Sequence, residues 1–462
     1  MKIWGRGATF LAFAVLVLFV ANAIITAQSP PTINPEPAST VIGQGNFVSH
    51  SSATGPGGLS EPEFVAFDRS GDLWVSDYNN SMVAEYVPPF KNGSVASLEV
   101  GSPSFSVTGC SGQGLSSVCS PNGIAFDPSG NLWVADTQND SLVEFRAPFS
   151  VGEPVSMVIG GPSEVDGQVN GSNLNEPYGI AFDSSGNLWV ADSQDNRVLE
   201  YRAPLTSGEA ASLVIGQASL TSTSNSNANS NMSDPQDIAF DPSGNLWVAD
   251  TQNSRVLEFK APFSNGEDAS LVLGEPNLTS YGGNDTQSAL SLPEAIAFDH
   301  EGDLWVADSG NSRVLEFAPP FSTGMNASRL IGQDSYFAGG PNATQTTLGY
   351  PEGLTFDASG NLWVSDPGYA RVLEFNDPLS YTSLATTTST TSVTAETTTA
   401  TTTSSSTSTA TSSPSVTSSS TLSSSSNSSS TGEIPEFPFQ FAAVVVVTAV
   451  VAGLYLAMRR RR

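Results

Sequence analysis

Histidine is almost absent from this sequence, and its scarcity limits the chemistry available to the chain. The 462 residues include two histidines, His50 and His300. No HxH, HExxH or Ser-His-Asp arrangement can be assembled from them, and no nucleophile elbow is present. We assign no catalytic and no cofactor-binding residue from the sequence and expect that the protein is not an enzyme. An all-carboxylate calcium site is the one catalytic alternative left open.

Basic residues are also few outside the two ends of the chain. Of the 16 Lys and Arg, 6 lie in the terminal segments, which leaves 10 between residues 28 and 438, whereas all 45 Asp and Glu lie in that span. The net charge of the span is therefore 10 - 45 = -35. Such a field repels phosphate backbones. We expect no nucleic-acid partner and a preference for cations or basic partners.

Cysteine occurs only twice, at Cys110 and Cys119, within one loop rich in glycine and serine. A zinc site would need further ligands, and histidine is nearly absent. In a protein that is exported, as the N-terminal segment described below predicts, a close pair of this kind favours a disulfide. We therefore predict a Cys110–Cys119 disulfide, with a metal site as the lesser alternative.

The middle of the chain is built from a repeat. The stretch from Ile238 to Phe259, IAFDPSGNLWVADTQNSRVLEF, recurs with small changes five more times. Its three short apolar runs, separated by turn clusters, predict three antiparallel strands. The tryptophans of the six copies are spaced by 59, 56, 58, 58 and 58 residues. Repeats of this length predict an all-β fold, a six-bladed β-propeller over residues 35–380.

A fourth strand follows each of the first five units. These are short apolar runs ending in glycine: LEVG at 98, MVIG at 157, LVIG at 213, LVLG at 271 and RLIG at 329. No such run follows the sixth unit, but residues 35–44, PEPASTVIGQ, closely resemble GEPVSMVIGG at 152–161. An open ring would leave the first and last blades uncovered. We therefore predict that Thr40 to Gly43 supply the outer strand of the sixth blade.

The two ends of the chain carry targeting patterns. Residues 1–27 have two basic residues, an apolar run and small residues, the pattern of a secretory signal peptide, with an uncleaved anchor as the alternative. Residues 383–431 are almost entirely Ser and Thr and are expected to form a disordered stalk. The apolar stretch 439–458 predicts a transmembrane helix, and the arginines at 459–462 predict a cytoplasmic C-terminus.

The C-terminal arrangement of PEFP, an apolar stretch and a basic tail also resembles the sorting signals processed by archaeosortase-type enzymes in archaea. This resemblance implies that the apolar stretch is removed and the stalk is joined to a lipid. The alternative is that the transmembrane helix is retained. In both cases the propeller lies outside the cell, anchored to the membrane.

The repeat unit, GNLWVADTQNSRVLEF and its copies, resembles the NHL repeats, a family of mostly six-bladed propellers. The GN turn, the VAD strand and the NxR pattern appear together in part. In four copies the arginine lies five residues after the aspartate of VAD, across one tight turn, where the two can pair. In the first two copies Met82 and Ser141 occupy the arginine position. We interpret the pairs and the six tryptophans as structural.

Function is therefore sought where the copies differ. Segments around the proline before each innermost strand are expected to surround the mouth of the central channel. Calcium takes about 6 to 8 oxygen ligands, and the carboxylates in these segments predict a cation site. They are Glu61, Glu63, Glu176, Asp234, Asp237, Glu294 and Glu352. The long loops that enter each blade, rich in Asn, Ser and Thr, are the other candidate binding surface.

Secretion is consistent with ten NxS or NxT sequons. They begin at Asn79, Asn92, Asn139, Asn170, Asn231, Asn277, Asn284, Asn326, Asn342 and Asn427. The sequence thus predicts a cell-surface binding or adhesion module with a protein or glycan ligand. The alternatives are a calcium-dependent hydrolase or lyase at the channel mouth, and a structural component of the cell envelope.

Overall fold

The structure is a computed structural model. It describes residues 35–107, 109–110, 116–161, 169–223, 231–336, 343–376 and 378. The predicted signal peptide, stalk, transmembrane helix and basic tail lie outside these residues. Within the part of the chain that is described, no helix is long and apolar enough to cross a membrane.

Six four-stranded antiparallel sheets form the blades of a propeller, as the repeats predict. The innermost strands are β2 (Pro62–Phe67), β6 (Pro121–Phe126), β10 (Pro177–Phe182), β14 (Pro235–Phe240), β18 (Pro293–Phe298) and β22 (Leu354–Phe356). Each contacts the innermost strand of the next blade, and β22 contacts β2, so these strands surround the axis.

The second and third strands of each blade are the LWVAD and RVLEF runs. The second strands are β3 (Leu73–Asp77), β7 (Leu132–Asp136), β11 (Leu188–Asp192), β15 (Leu246–Asp250), β19 (Leu304–Asp308) and β23 (Leu362–Asp366). The third strands are β4 (Met82–Tyr86), β8 (Ser141–Phe145), β12 (Arg197–Tyr201), β16 (Arg255–Phe259), β20 (Arg313–Phe317) and β24 (Arg371–Phe375). Short 3-10 turns join several pairs, at Thr137–Asn139, Thr251–Asn253, Ser309–Asn311 and Pro367–Tyr369.

The outer strands are short, and the sixth comes from the beginning of the domain. They are β5 (Leu98–Val100), β9 (Met157–Gly160), β13 (Leu213–Ile215), β17 (Leu271–Leu273), β21 (Arg329–Ile331) and, in the sixth blade, β1 (Thr40–Ile42). β1 pairs antiparallel with β24. Gln44 strengthens the join by donating from Nε2 to the Ala370 carbonyl at 2.9 Å. The predicted closure of the ring by Thr40 to Gly43 is confirmed.

The hydrophobic core lies between neighbouring blades. All six repeat tryptophans are almost fully buried, and each packs edge-to-face against the phenylalanine that ends the next blade's innermost strand. In one such layer Trp189 of the third blade shares a cluster with Ile238, Leu246 and Phe259 of the fourth. Each blade is therefore stabilised mainly by burying apolar area against its neighbours. The structural interpretation of the tryptophans is confirmed.

Buried ion pairs fix the turn between the second and third strands. Arg255 Nε lies 2.6 Å from Asp250 Oδ2, and both side chains are fully buried. The corresponding pairs, all equally buried, are Arg197–Asp192, Arg313–Asp308 and Arg371–Asp366. In the first blade Met82 replaces the arginine, and Asn80 Nδ2 donates to Asp77 Oδ2 at 2.7 Å instead. The predicted pairs are confirmed.

Two local features complete the description of the fold. In the FDPSGN turn, Asp241 Oδ1 accepts the amides of Ser243 and Asn245, so this aspartate shapes the turn. Cys110 and Cys119 form the predicted disulfide.

Candidate functional site at the channel mouth

The two faces of the ring differ in the residues they present. One face, here called the mouth face, carries the starts of the innermost strands and the turns between second and third strands. The other, here called the turn face, carries the FDPSGN turns and the loops between third and outer strands. This follows from the alternating direction of the strands in each blade. The predicted cation-site residues all lie within two residues of the start of an innermost strand, so they belong to the mouth side of their blades.

The residue before the proline has an unusual backbone conformation in five of the six copies. Its φ is positive at Glu61, Ser120, Glu176, Asp234 and Leu292, between 48° and 55°. Hydrogen bonds to the preceding blade hold this conformation: Asn196 Oδ1 accepts the amide of Asp234 at 2.9 Å. Because copies with carboxylate, hydroxyl and aliphatic side chains all adopt it, the conformation belongs to the scaffold.

A carboxyl–tyrosine group forms at the mouth from residues of the third, fourth, fifth and sixth blades. Burial raises the pKa of Glu294 to about 8, although a hydrogen bond from Tyr350 favours its charged form and Asp234 disfavours it. Burial, with the nearby charges of Asp234, Glu176 and Glu294, also raises the pKa of Tyr178. Tyr78 of the first blade interacts with the same Tyr178. Side chains from several blades therefore converge here.

A second carboxyl group lies at the sixth blade. Burial raises the pKa of Glu352 to about 8, and the negative charges of Glu61 and Asp366 add to the shift. The structure thus brings Asp234 within electrostatic range of both Glu176 and Glu294, and Glu61 within range of Glu352. Two carboxyls that titrate near neutral pH are suited to proton transfer at physiological pH.

The other two predicted residues are placed differently. Asp237 is buried and its Oδ2 accepts the amide of Ile296, at 2.8 Å, so this carboxylate joins the fourth blade to the fifth. Burial raises its pKa to about 7. The main-chain carbonyl of Glu63 accepts a hydrogen bond from the Ser365 hydroxyl of the sixth blade. Both residues contribute to contacts between blades.

The sequence analysis did not single out the mouth tyrosines. Tyr78 occupies the position after the aspartate of the second strand, where copies two to five have threonine or serine. Tyr178 and Tyr350 occupy positions that vary among the copies. Comparison of the copies column by column would have identified all three. Aromatic faces beside carboxyl groups can bind sugars, ammonium groups or basic side chains.

A further group of carboxylates lies on the turn face. Oxygens of Asp68, Asp72 and Glu85 lie within 4.8 Å of one another. In the second blade an asparagine takes the place of Asp72, and Asn131 Nδ2 donates to both Asp127 and Glu144. The charges of Asp68 and Glu85 add to burial in raising the pKa of Asp72.

The sequons differ in accessibility. Exposed positions are Asn79, Asn92, Asn139, Asn277, Asn284 and Asn326. Asn139 donates from Nδ2 to Asp136, and Asn92 accepts the amide of Val41, so both side chains have structural contacts. Asn170 and Asn231 are half-buried, whereas Asn342 and Asn427 lie outside the described residues. Glycosylation at these positions stays a prediction.

The family model of the NHL repeat matches three of the repeat units, residues 118–145, 232–259 and 290–317. The chain contains NHL repeats within a six-bladed β-propeller. The NHL-repeat propeller extends beyond the matched units, because the other three copies form blades with the same strand order.

Among curated proteins, this NHL-repeat propeller is similar to Teneurin-1 of Homo sapiens, with 25% identity over 393 residues, 75% of this chain and 13% of that protein. It is also similar to peptidyl-glycine alpha-amidating monooxygenase A of Xenopus laevis, with 27% identity over 218 residues, 42% of this chain and 21% of that protein. The chain therefore spans only a minor part of these relatives. A virginiamycin B lyase from Staphylococcus aureus has a similar fold, with 14% identity, a TM-score of 0.42, and coverage of 72% of this chain and 88% of that chain.

These similarities correct one expectation. The scarcity of histidine led us to expect that the protein is not an enzyme, and that expectation is wrong. A monooxygenase is among the curated relatives of this chain. A count of histidines was a poor criterion, because carboxyl groups that titrate near neutral pH, such as those of Glu294 and Glu352, can also transfer protons.

Proposed function

We propose that this propeller is the ligand-binding domain of a cell-surface protein and that its ligand binds at the channel mouth. The observation that carries the proposal is the Glu294 group: a half-buried carboxyl accepts a hydrogen bond from Tyr350 and lies near Asp234 and Tyr178 of two other blades. These residues vary among the repeats while the scaffold is constant. Groups of this kind, partly withdrawn from water on a rigid ring, are typical of binding sites.

The chemistry of the mouth favours a neutral or positively charged ligand. Glu61, Glu176, Asp234, Glu294 and Glu352 give it acidic character, and the span that contains the propeller has a net charge of 10 - 45 = -35. Tyrosine faces and carboxyl oxygens together suit the hydroxyl groups of a glycan or the basic side chains of a protein. We therefore propose a glycan or a basic extracellular protein as the ligand, with the C-terminal segment as the membrane anchor.

A binding screen tests this proposal. The purified full chain is screened against glycan and cell-surface protein arrays, and each hit is repeated with Tyr178→Ala and Glu294→Gln. Removing an aromatic face or a charged acceptor at a binding site is expected to weaken binding about tenfold or more. Asp268→Asn changes an exposed carboxylate on the turn face and is the matched control. Equal binding by all variants would contradict a site at the mouth.

A second candidate function is catalysis at the same mouth by a calcium-dependent hydrolase or lyase. Its specific support is the raised pKa of Glu294 and Glu352, both about 8, which leaves a protonated carboxyl available at neutral pH. The carboxyl oxygens at the mouth are of the type that calcium prefers. Residues Glu294 and Glu352 would then act as acid and base. In a substrate screen, Glu294→Gln or Glu352→Gln should abolish turnover while substrate binding persists, whereas for a pure binding module no turnover exists to lose.

A further inference from the structure

Two phenylalanines cover the tryptophan at four of the seams between blades. Trp247 of the fourth blade has Phe298 of the fifth at 5.8 Å between ring centroids and Phe321 of the same neighbour at 4.8 Å. The second ring comes from the loop between the third and outer strands, on the turn face. The same pair of rings covers Trp74, Trp189 and Trp363, where the second ring lies 4.8, 5.0 and 4.9 Å away.

The seam between the second and third blades lacks the second ring. Leu205 occupies the loop position that is phenylalanine at those four seams, and the sixth copy has Leu379 there. Trp133 retains one aromatic neighbour, Phe182, whose centroid lies 6.3 Å away, farther than the 5.6 to 5.8 Å of the equivalent pairs. Comparison with the four seams that have two rings shows where a second aromatic ring would pack against Trp133.

An open cleft lies at this seam on the turn face. Its volume is about 350 Å³, and its apolar wall is made by Met157, Phe182 and Leu205, which are all half-buried, with Trp133 beneath them. Such a volume accommodates one aromatic ring with a short chain. Because the neighbouring seams place a phenylalanine ring beside the equivalent tryptophan, an aromatic group from a ligand has a defined place to pack.

The polar edge of the cleft is acidic. Asp127 and Glu144 line it. The exposed Arg146 lies 3.3 Å from Glu144 and partly offsets its charge. The Asp127 carboxylate accepts hydrogen bonds from the backbone amides of Ser129 and Asn131 and from the Asn131 side chain, which are neutral donors. Arg69 of the first blade also reaches this rim and donates to the carbonyl of Pro128. The ammonium preference therefore depends on direct contact with Asp127, where a positive group is attracted and an anionic group is repelled.

We propose that this cleft, formed around Leu205 between the second and third blades, binds a small molecule that carries one aromatic ring and an ammonium group. The ring packs beside Leu205, in the space that a phenylalanine ring fills at four of the other seams, and the ammonium group faces Asp127. The site lies on the turn face, so it is separate from the channel mouth and does not depend on the function proposed there.

Titration of the full chain with phenethylamine, followed by calorimetry and ligand-observed NMR, tests the site. We expect saturable binding to the unaltered protein and a loss of roughly tenfold or more in affinity in Leu205→Phe, because the new ring fills the space. Met157→Phe should narrow the cleft from its other wall with the same result. The volume-conserving Leu205→Met and the exposed Asp268→Asn of the fourth blade should both retain binding.

The charge of the ligand is tested by 3-phenylpropionate, which has a similar ring and chain but a negative group. It should bind roughly tenfold or more weakly than phenethylamine. Equal binding of the two compounds would overturn the ammonium preference. Absence of phenethylamine binding, or unchanged binding in both folded filling variants, would overturn the site itself.

Discussion

Val41 in the first strand of the domain is paired with Leu373 in its last strand, and both are fully buried. This pair closes the ring, because β1 provides the only cover for the outer edge of β24 among the described residues. Phe47 adds a contact beyond the strand, since its carbonyl accepts from Arg371 Nη1 at 2.6 Å. The two ends of the propeller are thus joined by antiparallel strand pairing of the same kind that joins the third and outer strands in the other blades.

Deletion of residues 35–48 should therefore destabilise the whole propeller. Loss of two fully buried side chains, Val41 and Ile42, costs about 3 to 6 kcal/mol of unfolding free energy, and the exposed edge of β24 adds an aggregation risk. Thermal unfolding followed by circular dichroism measures the change. A deletion of equal length within residues 383–431 is the control and should leave the melting temperature unaltered. An unaltered melting temperature for the first deletion would disprove the closure argument.

Replacement of a buried arginine should have a large effect that depends on pH. Arg255→Met leaves the buried carboxylate of Asp250 without its ion pair and should lower the unfolding free energy by about 3 to 5 kcal/mol at pH 8. The first blade indicates the outcome of such a change: with Met82 in place of the arginine, burial raises the pKa of Asp77 to about 7. A carboxyl whose pKa is raised by folding stabilises the protein when protonated, so the deficit should shrink as pH falls below 7.

The control for this substitution is an exposed pair in the third blade. Arg202 Nε lies 3.2 Å from Glu200 Oε2, with the arginine side chain 64% exposed. Arg202→Met should cost less than about 1 kcal/mol, because exposed ion pairs contribute little. Denaturant titrations of both variants at pH 6 and pH 8 make the comparison. A deficit for Arg255→Met that does not depend on pH would contradict the role given to Asp250.

The sequence was sufficient for the scaffold because each repeat provides its own evidence. Tryptophan spacing predicted the blade count, and the resemblance of residues 35–44 to residues 152–161 predicted the strand that closes the ring. The mouth was harder to predict, because the role of a carboxylate there depends on its direction and burial. Asp234 and Asp237 lie three residues apart, yet one interacts with Glu176 and Glu294 at the mouth and the other binds a backbone amide between blades.

Asp237 should accordingly act as a structural residue. Asp237→Ala removes the acceptor of the Ile296 amide and should cost about 1 to 3 kcal/mol of unfolding free energy, since a buried donor is left unpaired. Asp237→Asn retains an acceptor without the charge, and because burial raises the pKa of Asp237 to about 7, this variant should match or exceed the natural stability above pH 7. Denaturant titration distinguishes the Ala and Asn variants of Asp237. Asp268→Ala, at an exposed position, is the control. An equal loss of unfolding free energy in Asp268→Ala would contradict the structural role of Asp237.

Ionisation of the mouth carboxyls should weaken the fold as pH rises. Folding raises the pKa of Glu294 and of Glu352 from the ordinary value of 4.5 to about 8. The protonated forms are therefore favoured in the folded state, and the stability that they contribute is complete below pH 4.5 and is lost as pH rises through 8. The melting temperature of the natural protein should fall over this interval. The melting temperature of the double variant Glu294→Gln, Glu352→Gln should fall less. If both proteins show the same profile, these two carboxyls do not control it.

Calcium addition at pH 8.5 extends this measurement to the cation site predicted at the mouth. A bound cation stabilises the ionised carboxylates, so calcium should restore the melting temperature of the natural protein toward its value at pH 6. The double variant lacks both charged groups and should respond less. Magnesium is the comparison ion, because it requires a smaller, octahedral arrangement of ligands and retains its water more strongly. A calcium response of equal size in the natural protein and in the double variant would place the bound ion elsewhere, and the carboxylates of Asp68, Asp72 and Glu85 on the turn face would be the next group to substitute.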